Sequence, residues 1–594
     1  MTAVKEEWKQ RVFLALKSVA EATGIESGSI DTDQIIIETP PDPKLGDIAF
    51  PLFPFARIFR TAPAQIAQKV YERLCAYEDS TGEGEAGKHL IQAAGPYLNI
   101  SLDMTALSAE VVREVEREGD GYGSTDALTG TRVMIEFSCP NTNKPLHLGH
   151  LRNDSIGESV ARILSANGAE VLKVNLINDR GIHICKSMLA YQRFGNDTTP
   201  ESEGIKSDHF VGDYYVKFDT WVKEDPQAEN EARKMLREWE DGVPEVTELW
   251  SKMNEWAIVG IEKTYEKTGI HFDRFYFESE TYKRGREEVL KGLDAGIFYR
   301  EEDGSVWVDL SEIKLDKKVL LRSDGTSLYL TQDIGTAIER HQDWPFEKLI
   351  YVVASEQKYH FKVLFHVLKK LGFDWADNLY HLSYGMVNLP EGKMKSREGL
   401  VVDADDLIAQ LQEMAVQEIR NKEREEEVGD VEEAAASVAL AALNYYLLQV
   451  TPAKDMIFDP KESISFNGNT GPYLQYMGAR ISSMLRKYEE RRDTFAGGEC
   501  RFELLTVGEE RELIKLIARY PDTVQKAAEE FNPNVITSYL YELSRTFSRY
   551  YHDNPVLHNE NKNLVVTRIT LAKAILQVLK NAYFLVGIPF LERM

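Results

Sequence analysis

The chain has 594 residues, a formal net charge of −26, and 43% hydrophobic against 28% charged residues. That length excludes a single core and points to three or four domains of ordinary globular composition. The four cysteines (Cys75, Cys139, Cys185, Cys500) are widely separated, which excludes a zinc knuckle or a disulfide framework and fits reduced thiols in the cytoplasm.

At the N-terminus, Trp8, Val12, Leu16 and Val19 recur at helical spacing behind Glu6 and Glu7. This reads as an amphipathic helix of the first domain rather than a signal or transit peptide. Helical periodicity over Trp8–Ala22 and Ala64–Tyr77 mixes with strand-like runs at Gln34–Glu38 and Tyr97–Leu102, so residues 1–120 are expected to form an α+β domain. Glu78–Gly87 reads as a surface loop, and Gly119–Gly123, which precedes a strand instead of following one, as a linker. Strands and helices then alternate: Val133–Phe137, helix 151–167, Val171–Asn175, and later Leu349–Ala354 before helix 360–372. The alternation predicts an α/β domain over 121–460, a doubly wound parallel sheet of Rossmann type. Within it, about 198–270 is helical, charged and Trp-rich, an insertion. Glu423–Glu433 is acidic and solvated. The longest apolar helix, Ala434–Val450, contains Ser437 and Asn444 and is short for a membrane span, so no membrane partner is expected. Residues 461–594 show no strand pattern and read as all-α. Although the whole chain is acidic, this segment carries 18 Lys and Arg against 16 Asp and Glu, a balance of +2 that leaves −28 for the rest. A C-terminal surface that meets phosphate is compatible with that asymmetry.

The stretch Pro140-Asn141-Thr142-Asn143-Lys144-Pro145-Leu146-His147-Leu148-Gly149-His150 lies at the turn from an apolar strand into a helix. A helix start offers unpaired N–H groups and a positive dipole end to phosphate. Gly149 lets a nucleotide approach the backbone, and the histidines add donors. Alone, the pattern equally fits two histidines at a helix start satisfied by backbone carbonyls. A second element, Gly392-Lys393-Met394-Lys395-Ser396-Arg397-Glu398-Gly399, is a glycine-bounded basic loop.

Together the two elements resemble the signatures of class I aminoacyl-tRNA synthetases, and the match narrows to the arginyl-tRNA synthetase family over essentially the whole chain. It is carried by Glu136-Phe137-Ser138 leading into Pro140-Asn141, Lys144-Pro145 before His147, and Asp324-Gly325-Thr326 with Tyr329-Leu330-Thr331-Gln332-Asp333. Ser355-Glu356-Gln357, Phe466–Tyr476, and the closing Gly587-Ile588-Pro589 with Met594 complete it. One departure is that Ser396 stands where the general class I loop has its second lysine. Either Lys144 or Lys395 is the candidate replacement.

The resemblance implies activation of L-arginine by ATP with Mg2+ and transfer to tRNA, with activation dependent on bound tRNA. It implies that His147, His150, Lys144 and Lys393 are catalytic. Pro140, His147, Gly149, His150, Met386, Val387 and Lys393 would bind ATP, the strand Tyr384–Val387 offering backbone groups to adenine. Glu136, Asn141, Tyr329, Asp333 and Gln357 would form the arginine pocket, with Asp333 at the guanidinium and Asn141 and Glu136 at the α-amino end. Carboxylates suit that substrate because the guanidinium is a planar cationic fork. Read without the family, Asp333 is a helix N-cap and Tyr329 a strand core residue. The reaction needs no protein nucleophile and no protein-bound metal. The C-terminal segment resembles an anticodon-binding domain, whose tyrosines could stack on bases or fill the core. The N-terminal domain resembles one that contacts tRNA. A cytoplasmic monomer is expected.

Overall fold

The computed structural model describes residues 2–38, 40–42, 45–81, 90–390, 402–421 and 424–594. They divide into two compact units, one of 1–123, 481–523 and 542–581, the other of 124–480, 524–541 and 582–594.

In the first unit, β1 (Ile48–Pro51), β2 (Leu90–Ala94) and β3 (Tyr97–Ser101) form an antiparallel sheet in the order β1-β3-β2. The helix Thr2–Ala22 buries Trp8, Val12, Leu16 and Val19, the stripe its spacing predicts. Gln34–Glu38 is not a strand. Asp31 accepts from the Asp33 N–H at 3.1 Å, and Gln34 reaches back to the Asp31 N–H at 3.2 Å. This capping box winds Thr32–Gln34 into a 3-10 turn and leaves only Glu38 to bridge Ala49. The helix Pro63–Thr81 also runs on into the stretch read as a loop, whose remainder lies outside the described residues. The expected linker is packed in this unit. Tyr122 donates to the Ile517 carbonyl at 3.0 Å, and a Cβ on Gly123 (φ +97°) would fall 2.2 Å from the Tyr520 ring.

The second unit is built on β4 (Arg132–Glu136), β5 (Glu170–Ile177) and β6 (Arg274–Phe277). Beyond these come β7 (Tyr299–Arg300), β8 (Val306–Val308) and β9 (Lys318–Leu321), a small antiparallel sheet that the apolar pattern did not signal. Then follow β10 (Lys348–Ala354), β11 (Leu379–Tyr384), and a two-residue parallel pair, β12 (Val387–Asn388) with β13 (Met456–Ile457). The main sheet is all parallel in the order β11-β10-β4-β5-β6. β4 and β10 read as apolar runs because helices cover both faces of such a sheet. The helix Leu148–Ala166 buries nearly its whole surface, and Gly157 lets it approach Phe137, whose ring a Cβ would meet at 2.2 Å.

The sheet order reverses between β4 and β10. The carboxyl ends of these two strands therefore open the crevice where doubly wound sheets take ligands. Between β5 and β6 the helices Ile182–Phe194, Ser207–Glu224, Gln227–Glu240 and Pro244–Thr268 enclose an aromatic core of Tyr191, Phe210, Tyr214, Phe218 and Trp221. This helical run begins at Ile182, ahead of the composition change near Thr198. The apolar helix Val431–Leu448 is buried on all sides. No helix among the described residues is long and apolar enough to cross a membrane.

Candidate active site

From the end of β4 the chain turns through Ser138 (φ +70°) and Cys139 (φ +50°), two consecutive non-glycine residues in the left-handed region. Each costs roughly 1–2 kcal/mol unless its surroundings hold it. The Asn153 side-chain oxygen accepts from the Ser138 N–H at 2.6 Å, and that of Asn175 from the Cys139 N–H at 3.1 Å. The buried Tyr265 hydroxyl meets Ser138 Oγ at 2.6 Å and accepts from the Asn175 amide at 3.0 Å. Asn178 Nδ2 donates to the Cys139 carbonyl at 3.0 Å, and the Asn178 N–H to that of Pro140 at 3.0 Å. The loop is thereby fixed, and Asn141 is delivered to it exposed. Burial pushes the Cys139 thiol well above its ordinary value, so it stays protonated and is no nucleophile.

His147 is the N-cap of the Leu148–Ala166 helix. Its Nδ1 accepts from the Gly149 N–H at 3.1 Å, and His150 Nδ1 accepts from the His147 N–H at 3.1 Å. The histidines thus satisfy backbone N–H groups, not carbonyls, in a reciprocal capping box made of imidazoles. Because both Nδ1 atoms accept, both ring protons sit on Nε2, leaving two Nε2–H donors at the helix start. Burial, with Lys144 nearby, lowers His147 to about 4; burial, with His147 and Lys144, puts His150 well below the imidazole range. Both rings are neutral at pH 7. Burial also lowers the Lys144 ammonium. A Cβ on Gly149 would fall 2.9 Å from the His147 ring, so the room this glycine leaves is used by its own cap.

Asn141, Lys144 and His147 line a cavity of about 690 Å3 together with Tyr329, Asp403, Asp406, His183, His209 and Tyr215, whereas Gly149 and His150 are not part of its lining. Tyr329 is no strand core residue. It is 71% exposed and begins the Tyr329–Asp343 helix. Asp333 is no N-cap either: it lies a turn inside that helix, with Oδ2 2.5 Å from His360 Nε2. Glu278, which is buried, has its carboxyl pushed up to about 7, chiefly by burial and further by the charges of Asp333 and Asp179, against the pull of Arg180. Glu136 (5% exposed) does not line the cavity; it is ion-paired with Arg340 (1% exposed). Gln357 is exposed at the end of the 3-10 turn after β10.

After residues 391–401, which include Lys393 and lie outside the described residues, the chain pairs with the histidine turn. Leu148 donates to the Val402 carbonyl at 3.0 Å and Ala404 to that of Leu146 at 3.0 Å. Asp208, His209 and Asp405 have the spacing of a metal-ligand group, but lysines occupy it. Lys206 Nζ lies 2.9 Å from Asp208 and 2.7 Å from Asp405, and Lys267 Nζ 2.5 Å from Asp405. Burial works against the Asp405 charge, yet hydrogen bonds from His209, Lys206 and Lys267 hold its carboxyl well below the usual range.

Three family models cover the chain: the class I (R) tRNA synthetase catalytic domain over 118–460, the DALR anticodon binding domain over 474–594, and the arginyl tRNA synthetase N terminal domain over 6–102. The arginine--tRNA ligase of Treponema denticola is 58% identical over 598 aligned residues that span the whole of both chains. The chain belongs to the arginyl-tRNA synthetase family. That of Borrelia hermsii is 45% identical over 100% of this chain and 99% of its own. The solved arginyl-tRNA synthetase of Thermus thermophilus superposes with a TM-score of 0.77 at 26% identity, covering 99% of this chain and 100% of that one.

Two features of this synthetase differ from the sequence reading. Met386 was expected to offer backbone groups to adenine, but its carbonyl accepts from Arg152 at 3.0 Å and Met456 at 2.9 Å, and its N–H donates to Asp455 at 2.7 Å. Adjacent strand residues aim their backbone groups to opposite sides, so Val387 faces away from β13. The other is the support around the site: Asn153, Asn175, Tyr265, Arg340 and Arg152 were not singled out. A hint lay in the asparagines beside buried apolar positions, where an amide must find partners. Nothing local signals Tyr265 or Arg340.

Proposed function

We infer that this chain joins L-arginine to tRNA in two steps: ATP and arginine give arginyl-adenylate and pyrophosphate, and the arginyl group then passes to the terminal adenosine of tRNA, at the 2′-hydroxyl by class I resemblance. The observation that carries the placement is one cavity lined by the imidazole-capped helix start, Lys144, Asn141 and Tyr329. In the first step the arginine carboxylate attacks the α-phosphorus and pyrophosphate leaves, so the protein's task is positioning and charge neutralisation. The neutral rings of His147 and His150 donate Nε2–H to phosphate oxygens as charge develops, without requiring protonation. Lys144 and Lys393 hold the leaving pyrophosphate. Val387 serves adenine in place of Met386, and Pro140 and Gly149 bound the nucleotide. Asn141 takes the α-amino end and Asp333 the guanidinium, with Tyr329 and Gln357 beside it, while Glu136, buried against Arg340 and outside the cavity lining, holds the end of β4. Mg2+ accompanying ATP would supply charge neutralisation at the phosphates and would need few protein ligands. Action as a monomer in the cytoplasm completes this reading.

The test is tRNA charging against a panel of amino acids, with pyrophosphate exchange measured with and without tRNA. Only arginine should be charged, and exchange should require tRNA. His150→Ala should lower the adenylate rate by roughly 10²–10³ with little change in arginine binding, and Asp333→Ala should mainly raise the KM for arginine. Wild-type turnover in the first or an unchanged KM in the second would remove these roles.

A further inference from the structure

Arg152 follows His150 by two residues on the same helix and is 0% exposed, yet no carboxylate among the described residues bonds it. Its guanidinium gathers four backbone carbonyls from two distant segments: Gly385 at 2.6 Å, Met386 at 3.0 Å, Pro452 at 3.3 Å and Lys454 at 2.7 Å. Those segments are also bonded to each other, Gly385 N–H to the Pro452 carbonyl at 2.8 Å and Met456 N–H to that of Met386 at 2.9 Å. Gly385 is required at this approach, because a Cβ there would lie 2.4 Å from the Lys454 backbone. On the other side of the same peptide, the exposed Asp455 accepts the Met386 N–H at 2.7 Å. Only a planar fork reaches several acceptors in fixed directions; an ammonium is a point donor. Burial lowers the Arg152 guanidinium to about 10, which leaves it charged at neutral pH.

We propose that Arg152 and Asp455 are positioning residues for ATP, setting the Gly385–Met386 peptide against the histidine-capped helix so that Val387 and His147 stand at one fixed spacing. This rests on the ATP placement proposed above. A nucleotide bridging the two elements binds well only if their separation matches its own length, whereas arginine, held elsewhere in the crevice, is indifferent to it.

The test is pyrophosphate exchange in the full-length enzyme with tRNA, varying ATP and arginine separately. Asp455→Ala removes a surface acceptor and leaves the core intact. It should raise the KM for ATP about three- to tenfold, the size of one lost hydrogen bond, with the KM for arginine within about twofold. Asp455→Asn, which keeps an acceptor, should restore it. Arg152→Lys, which cannot hold four carbonyls, should raise the KM for ATP further. An unchanged KM for ATP in Asp455→Ala, or an equal rise for arginine, overturns the proposal. His150→Ala separates the two levels. If it exchanges at the wild-type rate, the ATP placement fails; if it is impaired while Asp455→Ala is not, only the positioning role fails.

Discussion

Replacing Arg340 tests how the sheet end beneath the crevice is held. Arg340 lies on the helix that begins with Tyr329, and its guanidinium faces Glu136 while covering the rings of Tyr276 and Tyr351 at 5.0 and 6.0 Å. Burial disfavours its charge, and Glu136 outweighs that, so the guanidinium is held more firmly protonated than usual. Arg340→Met keeps much of the packing and leaves Glu136 buried without its partner. Breaking such a pair costs about 3–5 kcal/mol. A ceiling exists, because a stranded carboxylate can take a proton. At pH 7 that costs a glutamate about (7 − 4.3) × 1.36 ≈ 3.7 kcal/mol. The expected loss at pH 7 is therefore about 3–4 kcal/mol. In the variant the folded chain retains a proton that the unfolded chain releases above pH ~4.3, so acid favours the folded variant. Its deficit against the parent should shrink by about 1.4 kcal/mol per pH unit below 7. Urea unfolding of the parent, Arg340→Met, Glu136→Gln and the double variant, from pH 7 to 5, measures this. The double variant should be more stable than the summed singles imply, by at least about 2 kcal/mol. A loss under about 1 kcal/mol at pH 7, or one that does not change with pH, would refute the reasoning. The KM for arginine in Glu136→Gln, measured alongside, reports whether the carboxylate also serves the substrate.

The histidine cap gives a second pH effect of opposite sign. His147 binds its proton at about 4 in the folded chain and near 6.5 unfolded, so its stability contribution is complete above pH 6.5 and is lost as pH falls toward 4. Between pH 8 and 5 this ring should account for about 2 kcal/mol, with His150 adding in the same direction. His147→Asn should flatten the pH dependence of unfolding, and an unaltered slope would count against the buried neutral ring. Tyr265→Phe removes the hydroxyl shared by Ser138 and Asn175. It should cost about 1–3 kcal/mol and raise the KM for arginine more than that for ATP, since Asn141 hangs on the loop it holds. Equal, wild-type constants would show that the left-handed pair is held without it.

Much of the catalytic unit was legible because its physics is local. The runs at 133–137 and 349–354 are largely apolar since a parallel sheet is covered on both faces, and the structure places β4 and β10 there, with β5 at the shorter run 171–175. Where polar side chains compete for the backbone, the pattern misled, as at Asp31 and Gln34. Short strands such as β6 and β7–β9 carry too few residues for a period to show.

The candidate site divides along the same line. The ordered motifs around His147, Asp333 and Gln475 were sufficient to place the chain in its family and to nominate the groups that touch substrate. Covalent order alone determines such spacings. What those groups are bonded to was decided by the tertiary structure. The imidazoles became neutral caps because Gly149 lets one ring fold back and burial disfavours the charged ring. The Met386 backbone is held by Arg152 and Asp455, both far away in sequence. Glu136 met Arg340 because the Tyr329–Asp343 helix crosses the end of β4. The partners of Met386 and Glu136 are separated from them by many residues, and a buried polar atom takes whichever partner the packing brings within reach.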